Sequence, residues 1–440
     1  MKAGFAQVEY TPQQGFMPGE FQAYFADGAY TPLMANAAAF ENAGETVILI
    51  SADHLLFHSA YAADIRGRVA AATGLPVKNI LLAATHTHMG PSYDKPCWKS
   101  PAEPEIAEVV AHRIASAAIQ AFENMSEGAT LQVATAEEKR FSFVRDVVLK
   151  DGRIKTNPAP KYYDEILRTC DVPDHQIEIM RVMQDGKTVA IMVNFANHPD
   201  TNNGKTRKRN KFCADWPGFM RIALKEKYGE DVVVLFFNGC CGDVNHFDFL
   251  NQTHLKLHNA PDVIAPEVIG NGMADTIIKA LDHTAEDVSD NTVAVLENPL
   301  TVKRRQITDA ERAWAADVLE RAKTEYPVVW EYGTAMAYVE GSKNVPETEE
   351  FVVTGYRVGP WGMVAMPGEM YTAVGRSIKE GSPFAHTIPV ELANGHHGYV
   401  IPDSVRENGS YEGRFSSGST GFGAMDTIVA GSVETLKKLY

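Results

Sequence analysis

Cysteine is scarce in this chain: five occur in 440 residues, and no two have the spacing of a CxxC motif. The odd number and the spacing fit no disulfide framework, which excludes a disulfide-stapled secreted module and a CxxC zinc or redox site. The chain also has no apolar run of roughly 18 residues, and Met1–Glu9 lacks the long apolar segment of a signal peptide. We therefore expect a cytoplasmic protein that does not cross a membrane.

Positive charge is also in short supply, with 41 Lys and Arg against 56 Asp and Glu and a formal net charge of −15. This balance argues against a nucleic-acid-binding surface and against electrostatic attraction to an anionic membrane. Hydrophobic residues make up 45% of the chain, which is enough for a sizeable core. With nucleic acid and membrane excluded, we expect the binding partner to be a small-molecule substrate. Assembly into a homo-oligomer stays open.

Segments typical of strands and helices alternate along the chain. Glu45–Ala52, for example, is predicted as a buried strand, and Ala60–Thr73 as the helix that follows it. Other predicted helices are Pro101–Asn124 with Ser100 as its cap, Pro217–Tyr228, Glu267–Ala280, Asp309–Thr324 and Met370–Lys379, and other predicted strands are Thr130–Ala134, Gln176–Val182, Thr292–Leu296 and Phe351–Val358. We find no repeat period and no interdomain linker. The prediction is one α/β domain over residues 1–440, with mixed β-sheets covered by helices.

The most informative stretch is Leu81–Pro91, where an apolar run reaches His86 and His88 and then breaks at Gly90-Pro91. On an extended backbone, residues two apart point to the same side, so both imidazoles should face a crevice at the end of a strand. Imidazole is the commonest metal ligand and titrates near neutrality, so the pair indicates a metal site or acid–base chemistry. Two ordinary loop histidines are the alternative.

Four other apolar segments end in the same way, in loops that are broken by Gly or Pro and carry His, Asp, Glu or Tyr. These loops contain His198-Pro199-Asp200, Asn238–His246, Pro367-Gly368-Glu369 and Gly395–Tyr399. In α/β sheets, sites form in the crevice beyond the carboxyl ends of strands. We therefore expect the five strand ends to supply one convergent site.

In order and composition, these short motifs resemble those of the neutral/alkaline (non-lysosomal) ceramidases. The matching segments are Ala84–Pro91, Asn194–Pro199, Asn238–Val244, Met366–Glu369 and Gly398–Val400, and the similarity runs from the first residues to the last. The resemblance implies a ceramidase-like α/β catalytic domain without the C-terminal immunoglobulin-like domain of the full-length enzymes.

The resemblance also implies one catalytic zinc ion per chain. The family binds zinc through two His, one Glu and one Tyr, and the matching positions are His86, His198, Glu369 and Tyr399. Nitrogen and carboxylate ligands are typical of catalytic zinc, although iron or manganese can use such ligands too. The family's further active-site groups match His88, Arg145 and Tyr411.

One position departs from the family pattern. The family's catalytic serine follows Gly-Asp-x and precedes Pro-Asn, whereas here Asn245 and His246 follow Gly242-Asp243-Val244. A carboxamide cannot act as that hydroxyl does, but its N–H can donate a hydrogen bond to a developing oxyanion. We predict an enzyme that does not act on ceramide, with the catalytic residues His88, Arg145, Asn245 and Tyr411.

Loop residues close to these motifs are candidates for substrate binding: His246, His396, His397, Arg207 and Trp98. Each also has an ordinary interpretation, as a polar loop histidine, a member of the solvated basic run Lys205–Lys211, or an aromatic packed against the fold. If the basic run folds over the crevice, it would attract an anionic substrate. For Cys240-Cys241 we favour buried, inert side chains over nucleophiles.

Three functions remain open. The first is a zinc-dependent hydrolase that cleaves an amide or acyl bond of a small soluble compound. The second is a metal-dependent carbohydrate-active enzyme (a lyase, an isomerase or a glycoside-cleaving enzyme) acting on a small, anionic sugar, because a metal beside acid–base histidines also suits that chemistry. The third is a zinc-binding relative without activity.

Overall fold

The computed structural model describes residues 1–19, 24–97, 100–201, 210–251, 265–324, 329–341, 343, 345–407 and 410–440. Within these ranges, no helix combines the length and apolarity needed to span a bilayer.

The strands are β1 (Lys2–Glu9), β2 (Gly15–Met17), β3 (Tyr24–Ala26), β4 (Met34–Asn42), β5 (Glu45–Ala52), β6 (Ile80–Ala84), β7 (Thr130–Glu137), β8 (Phe143–Val144), β9 (Asp146–Leu149), β10 (Ile154–Thr156), β11 (Ile166–Thr169), β12 (Gln176–Gln184), β13 (Lys187–Phe195), β14 (Val233–Asn238), β15 (Val244–Asn245), β16 (Glu286–Val288), β17 (Val293–Lys303), β18 (Thr348–Val358), β19 (Trp361–Ala365), β20 (Glu369–Met370), β21 (His386–Val390) and β22 (Tyr399–Val400). The helices are α1 (Ser59–Thr73), α2 (Pro104–Glu123), α3 (Asp215–Tyr228), α4 (Pro266–His283), α5 (Asp309–Arg321), α6 (Val329–Gly341), α7 (Thr372–Gly381), α8 (Asp403–Glu407) and α9 (Ala424–Leu439).

Three mixed sheets form the frame of the protein. Their strand orders are β1-β4-β5-β6, β14-β13-β12-β7-β16 and β17-β18-β19-β21. Each sheet has one parallel pair at an edge, namely β5–β6, β13–β14 and β19–β21. Parallel neighbours need a crossover connection, and α1, α3 and α7 lie in these three connections. The predicted mixed α/β fold is confirmed.

The three sheets repeat one order of elements. In each, three antiparallel strands are followed by a helix, a fourth strand parallel to the third, and a second helix. The first unit is β1-β4-β5-α1-β6-α2, the second is β7-β12-β13-α3-β14-α4, and the third is β17-β18-β19-α7-β21-α9. What recurs is the connectivity and not the residues, so the sequence carries no repeat period.

The apolar core lies between the three sheets. A central cluster takes side chains from all of them, including Leu49 and Leu81 of the first, Met192 and Leu235 of the second and Met363 of the third. The outer faces are covered by helix pairs, with α1 and α2 on the first sheet, α3 and α4 on the second, and α7 and α9 on the third. Strands buried on both faces require the continuous apolar runs that the sequence shows.

Helix α2 illustrates how small residues allow this packing. Its buried side carries alanines at helical spacing, such as Ala107, Ala111, Ala118 and Ala121. The helix therefore approaches β1 so closely that a Cβ on Gly4 would lie 2.2 Å from the carbonyl oxygen of Ala121. Only glycine fits at that position.

The predicted helices and strands are present, with ends shifted by a few residues. The predicted cap of α2 is wrong, because the helix begins at Pro104 and no side chain caps it at Glu103. A proline at the first helical position has no N–H that needs a cap. Helices α6, α8 and α9 were not predicted.

Candidate metal centre

Two buried histidines, His86 and His198, are oriented by backbone carbonyl groups. Nδ1 of His86 lies 2.7 Å from the carbonyl oxygen of Leu55, and Nδ1 of His198 lies 2.9 Å from that of Cys241. A carbonyl oxygen can only accept, so each Nδ1 donates its proton and each Nε2 is left with a lone pair. A carbonyl partner of this kind is usual behind a metal-binding histidine.

The backbone at His86 differs from the prediction. Strand β6 ends at Ala84, and His86 has a φ of 74°, in the left-handed region. The predicted alternation along an extended strand is therefore wrong at this point, although the ring centroids of His86 and His88 lie only 5.0 Å apart. Left-handed backbone at a residue other than glycine costs energy and is concentrated at functional sites.

Glu369 brings a carboxylate to the two imidazoles. Its Oε2 lies 3.6 Å from Nε2 of His86 and 3.9 Å from Nε2 of His198. Ligands bound tetrahedrally to zinc at about 2.0–2.1 Å are about 3.3 Å from one another, so the three atoms are close to the required spacing. In the described part of the chain, the buried Oε2 of Glu369 and Nε2 of His86 have no hydrogen-bond partner. The residues therefore fit a divalent metal ion.

Burial and charge put these groups in their metal-binding protonation states. Burial lowers the pKa of His86 to about 4 and that of His198 well below its usual value, so both rings are neutral at pH 7. Burial acts to raise the pKa of Glu369, but the hydrogen bond from His396 and the nearby imidazoles hold that pKa well below its usual range. A neutral imidazole and an ionised carboxylate are the forms that bind a metal.

His88 lies beside this set. Ligand atoms of His86, His88 and His198 lie within 4.8 Å of one another, so three imidazoles form a second candidate group. The backbone N–H of His88 donates to the carbonyl oxygen of Pro199 at 3.2 Å, which ties the first unit to the second. Two sets of three are therefore available to an ion: the three imidazoles, or His86, His198 and Glu369.

Tyr399 lies directly opposite Glu369 in the β20–β22 ladder. Its hydroxyl oxygen is 3.3 Å from Nη2 of Arg145, and the same Nη2 is 2.9 Å from Oε1 of Glu412. Burial and the charge of Glu369 raise the pKa of Tyr399 well above its usual value, and Arg145 opposes this shift. A second cation beside the phenol would favour its ionised form further.

All of these groups line one cavity of about 590 Å³. Its described lining consists of His58, His86, His88, Arg145, Thr156, Asn157, His198, Asp200, Glu369, His396, Tyr399, Tyr411, Ser416 and Ser417, together with Gly19, Leu55, Leu56 and Cys97. Fourteen of these eighteen residues have polar side chains, but apolar atoms make up the larger part of the surface that they expose to the cavity. It draws on the strand ends of all three units.

Two further predicted residues, Tyr411 and His396, also line the cavity. Nε2 of His396 lies 3.5 Å from Oε1 of Glu369, the carboxylate oxygen that does not face His86. The ring of Tyr411 packs on Tyr399, with centroids 6.0 Å apart.

Asn245 and His246 lie behind the lining residues. Nδ2 of Asn245 donates to Oδ1 of Asn157 at 2.7 Å, and Nδ1 of His246 lies 3.2 Å from Oδ1 of Asp200. Each side chain therefore supports a residue that does face the cavity.

Of the remaining predicted residues, the structure describes His397 alone. His397 turns away: its Nδ1 lies 3.5 Å from Oε2 of Glu349, and its ring packs on Phe351. Arg207 and Trp98 lie outside the described residues, so their roles stay predictions.

The paired cysteines are buried and unreactive in character. The thiol of Cys241 donates to Oε1 of Glu391 at 2.9 Å. Burial raises the pKa of both Cys240 and Cys241 well above the usual value, which disfavours the nucleophilic thiolate.

Several residues at the site had no predicted role, among them His58 and Asn157 in the lining and Glu412 behind Arg145. Burial raises the pKa of Glu412 to about 7, with Arg145 acting in the opposite direction. The sequence signal for the site was a polar residue at the end of an apolar run. None of these residues follows such a run, so this signal could not identify them. For Glu412, the available signal was its position next to Tyr411.

The fold is that of the neutral ceramidases. A neutral ceramidase from Pseudomonas aeruginosa superposes with a TM-score of 0.69 at 15% sequence identity, over 99% of this chain and 74% of that one. A ceramidase complexed with C2 gives a TM-score of 0.72 at 14% identity, over 99% of this chain and 75% of that one. No protein-family model and no curated protein matches the chain in sequence.

Proposed function

We propose that this protein is a metal-dependent hydrolase that cleaves an amide or acyl bond of a small polar compound. The observation that carries the proposal is the convergence of three donor atoms on one cavity: Oε2 of Glu369 lies 3.6 Å from Nε2 of His86 and 3.9 Å from Nε2 of His198. The ceramidase fold supports hydrolysis as the reaction class.

One zinc ion per chain is the proposed cofactor, held by His86, His198, Glu369 and Tyr399. Zinc in such a site supplies Lewis-acid polarisation of a carbonyl and lowers the pKa of water. Arg145 holds the hydroxyl of Tyr399 at 3.3 Å and keeps it turned into the site.

The cavity also contains groups that can exchange a proton with a substrate. His88 and Tyr411 present an imidazole and a phenol to the cavity. They are the proposed groups for moving a proton to a leaving group and for orienting the substrate.

The substrate is proposed to be polar and not ceramide. Two long lipid chains need a broad apolar entry, and fourteen of the eighteen described lining residues carry polar side chains. The residue at the family's serine position, Asn245, is 2% exposed and uses its carboxamide for contacts within the protein. These features favour chemistry on a small hydroxylated or charged amide.

A carbohydrate-active enzyme is the second candidate, because the same lining of imidazole, hydroxyl and guanidinium groups suits a sugar. For both candidates we propose the same setting. The protein acts in the cytoplasm on a soluble small molecule and does not contact nucleic acid or membrane. A zinc-binding relative without activity is the third.

The three candidates give different products from zinc-loaded protein incubated with N-acyl amino acids, N-acyl amino sugars, uronates and ceramide. A hydrolase releases a free acid and an amine from an N-acyl compound. A lyase or isomerase keeps all the carbon atoms of the sugar and forms a double bond or a ketone.

Mass spectrometry separates these outcomes, and His86→Ala and Glu369→Gln should abolish turnover while the matched variant His397→Ala retains it. Faster turnover of ceramide than of the polar amides would contradict the proposed substrate. No turnover of any compound would favour the third candidate.

A further inference from the structure

Asn245 and Asn157 form a hydrogen-bonded pair whose orientation can be assigned. The backbone N–H of Phe247 lies 2.9 Å from one amide atom of Asn245, and because an N–H can only donate, that atom is Oδ1. The other atom, Nδ2, must then be the donor to Asn157 at 2.7 Å, and the accepting atom is Oδ1 of Asn157. Nδ2 of Asn157 is thereby the amide atom left for the cavity.

Asn157 is exposed, but hydrogen bonds fix both its backbone and its side chain. Its backbone N–H donates to the carbonyl oxygen of Arg145 at 3.0 Å, and its φ is 46°, in the left-handed region that asparagine tolerates. In the described part of the chain, no group accepts a hydrogen bond from its Nδ2. The N–H groups of Nδ2 are therefore available to a ligand in the cavity.

Arg145, whose carbonyl oxygen accepts from the N–H of Asn157, already has a carboxylate partner. The guanidinium of Arg145 is paired at 2.9 Å with Glu412, whose side chain is fully buried. A donor beside a balanced ion pair suits an uncharged acceptor, such as a hydroxyl or carbonyl oxygen, better than a free anion.

We propose that Asn157 is a specificity-determining residue that donates a hydrogen bond from Nδ2 to a neutral oxygen of the substrate, and that Asn245 is its positioning residue. Asn245 thus serves recognition at the position where the family has its serine. The proposal rests on the proposed function, because it places the recognised oxygen on the compound that enters the metal centre. It adds the substrate class, a hydroxylated amide or acyl compound.

The test uses hydroxamates, which bind a zinc centre whether or not turnover occurs. Gluconohydroxamate and hexanohydroxamate have chains of the same length, with and without hydroxyl groups. Calorimetry on zinc-loaded protein gives the ratio of the two Kd values for the wild type, Asn157→Ala, Asn245→Ala and the double variant. Asn124→Ala is the matched control, an exposed asparagine with one side-chain hydrogen bond, to the carbonyl oxygen of Phe5.

The wild type should prefer the hydroxylated compound, and Asn157→Ala should reduce that preference about tenfold, the effect expected for one uncharged hydrogen bond. Asn245→Ala should reduce it to the same extent, and the double variant should show no further loss. Zinc content should be unchanged in all variants.

A preference that survives in Asn157→Ala, or a wild type without any preference, would overturn the role of Asn157. Losses that add in the double variant would overturn the positioning role of Asn245. If neither hydroxamate binds the zinc-loaded wild type, the proposed function itself fails and this proposal fails with it.

Discussion

Glu369 and Tyr399 face each other across a parallel ladder that is only two residues long. The ladder fixes a carboxylate and a phenol side by side, although one follows β19 and the other follows β21. His86 and His198 come to the same place from the other two units. Three parallel strand pairs thus bring these four side chains to one cavity.

The first prediction concerns metal content. Wild-type protein should bind about one zinc ion, and His86→Ala or Glu369→Gln should retain less than about a tenth of it after dialysis, because each variant removes one of the four proposed ligands. Elemental analysis measures the content, and His397→Ala should bind like the wild type. Full occupancy in Glu369→Gln together with loss in His88→Ala would instead assign the ion to the three imidazoles.

The second prediction concerns the position of His88. A Cβ on Gly19 would lie 2.2 Å from the carbonyl oxygen of His88 and 2.5 Å from its Cα, so Gly19→Ala must displace the His88 backbone. We expect kcat/KM on the best substrate to fall about 100-fold, as expected for a shift of about 1 Å in an active site.

The control for that variant is Gly67→Ala in helix α1, where an added Cβ would meet nothing within 4 Å. It should leave turnover unchanged and stabilise the fold by about 0.5–1 kcal/mol, because alanine loses less backbone entropy in a helix. Equal turnover in both variants would mean that the position of His88 does not matter.

The third prediction concerns a buried ion pair between the first and second units. Nη2 of Arg221 lies 2.7 Å from Oδ2 of Asp53, with side-chain exposures of 7% and 0%. Arg221→Met leaves the carboxylate buried without its partner, so the free energy of unfolding should fall by about 3–5 kcal/mol.

Urea unfolding measures that loss against Arg68→Met. Arg68 pairs with Glu108 at 2.7 Å on the surface, with exposures of 32% and 62%, and its loss should cost less than about 1 kcal/mol. Similar costs for the two variants would contradict the buried character of the Asp53 pair.

The fourth prediction concerns pH. The hydrogen bond to Glu178 raises the pKa of His386 above its usual 6.5, and this pair joins the second sheet to the third. A raised pKa means that the folded state favours the imidazolium, so the stabilisation is complete below pH 6.5 and is lost as the pH rises through the raised pKa.

His386→Gln should therefore lower Tm at pH 6 and have progressively less effect up to pH 9. Thermal unfolding of both proteins in matched buffers gives the difference at each pH. A constant difference would show that the pair acts by packing and not by charge.

Much of the site was visible in the sequence because parallel strands are apolar throughout. Where such a run stops, the chain reaches a crevice, and His198 and Glu369 were found in this way. This rule predicts where a site residue lies, but not the conformation of its backbone or the direction of its side chain. It predicted an extended His86, whereas the backbone there is left-handed with a φ of 74°.

Other features depend on contacts between distant segments. His396 and His397 are adjacent and chemically identical, yet the first faces Glu369 and the second faces Glu349, because Gly395 and Gly398 turn the backbone with positive φ values. Asn245 is aimed at Asn157 by the pairing of β15 with β8, which no local pattern encodes.

The division of the donor groups among three units has a consequence for biosynthesis. His86 and His198 leave the ribosome long before Glu369 and Tyr399, so the nascent chain holds two imidazoles but no carboxylate or phenol to complete the set. At the proposed zinc site, an ion would therefore be captured with full affinity only after the last unit has emerged and docked. Metal capture would then mark the end of chain assembly, and fragments that stop before Glu369 would be made without it.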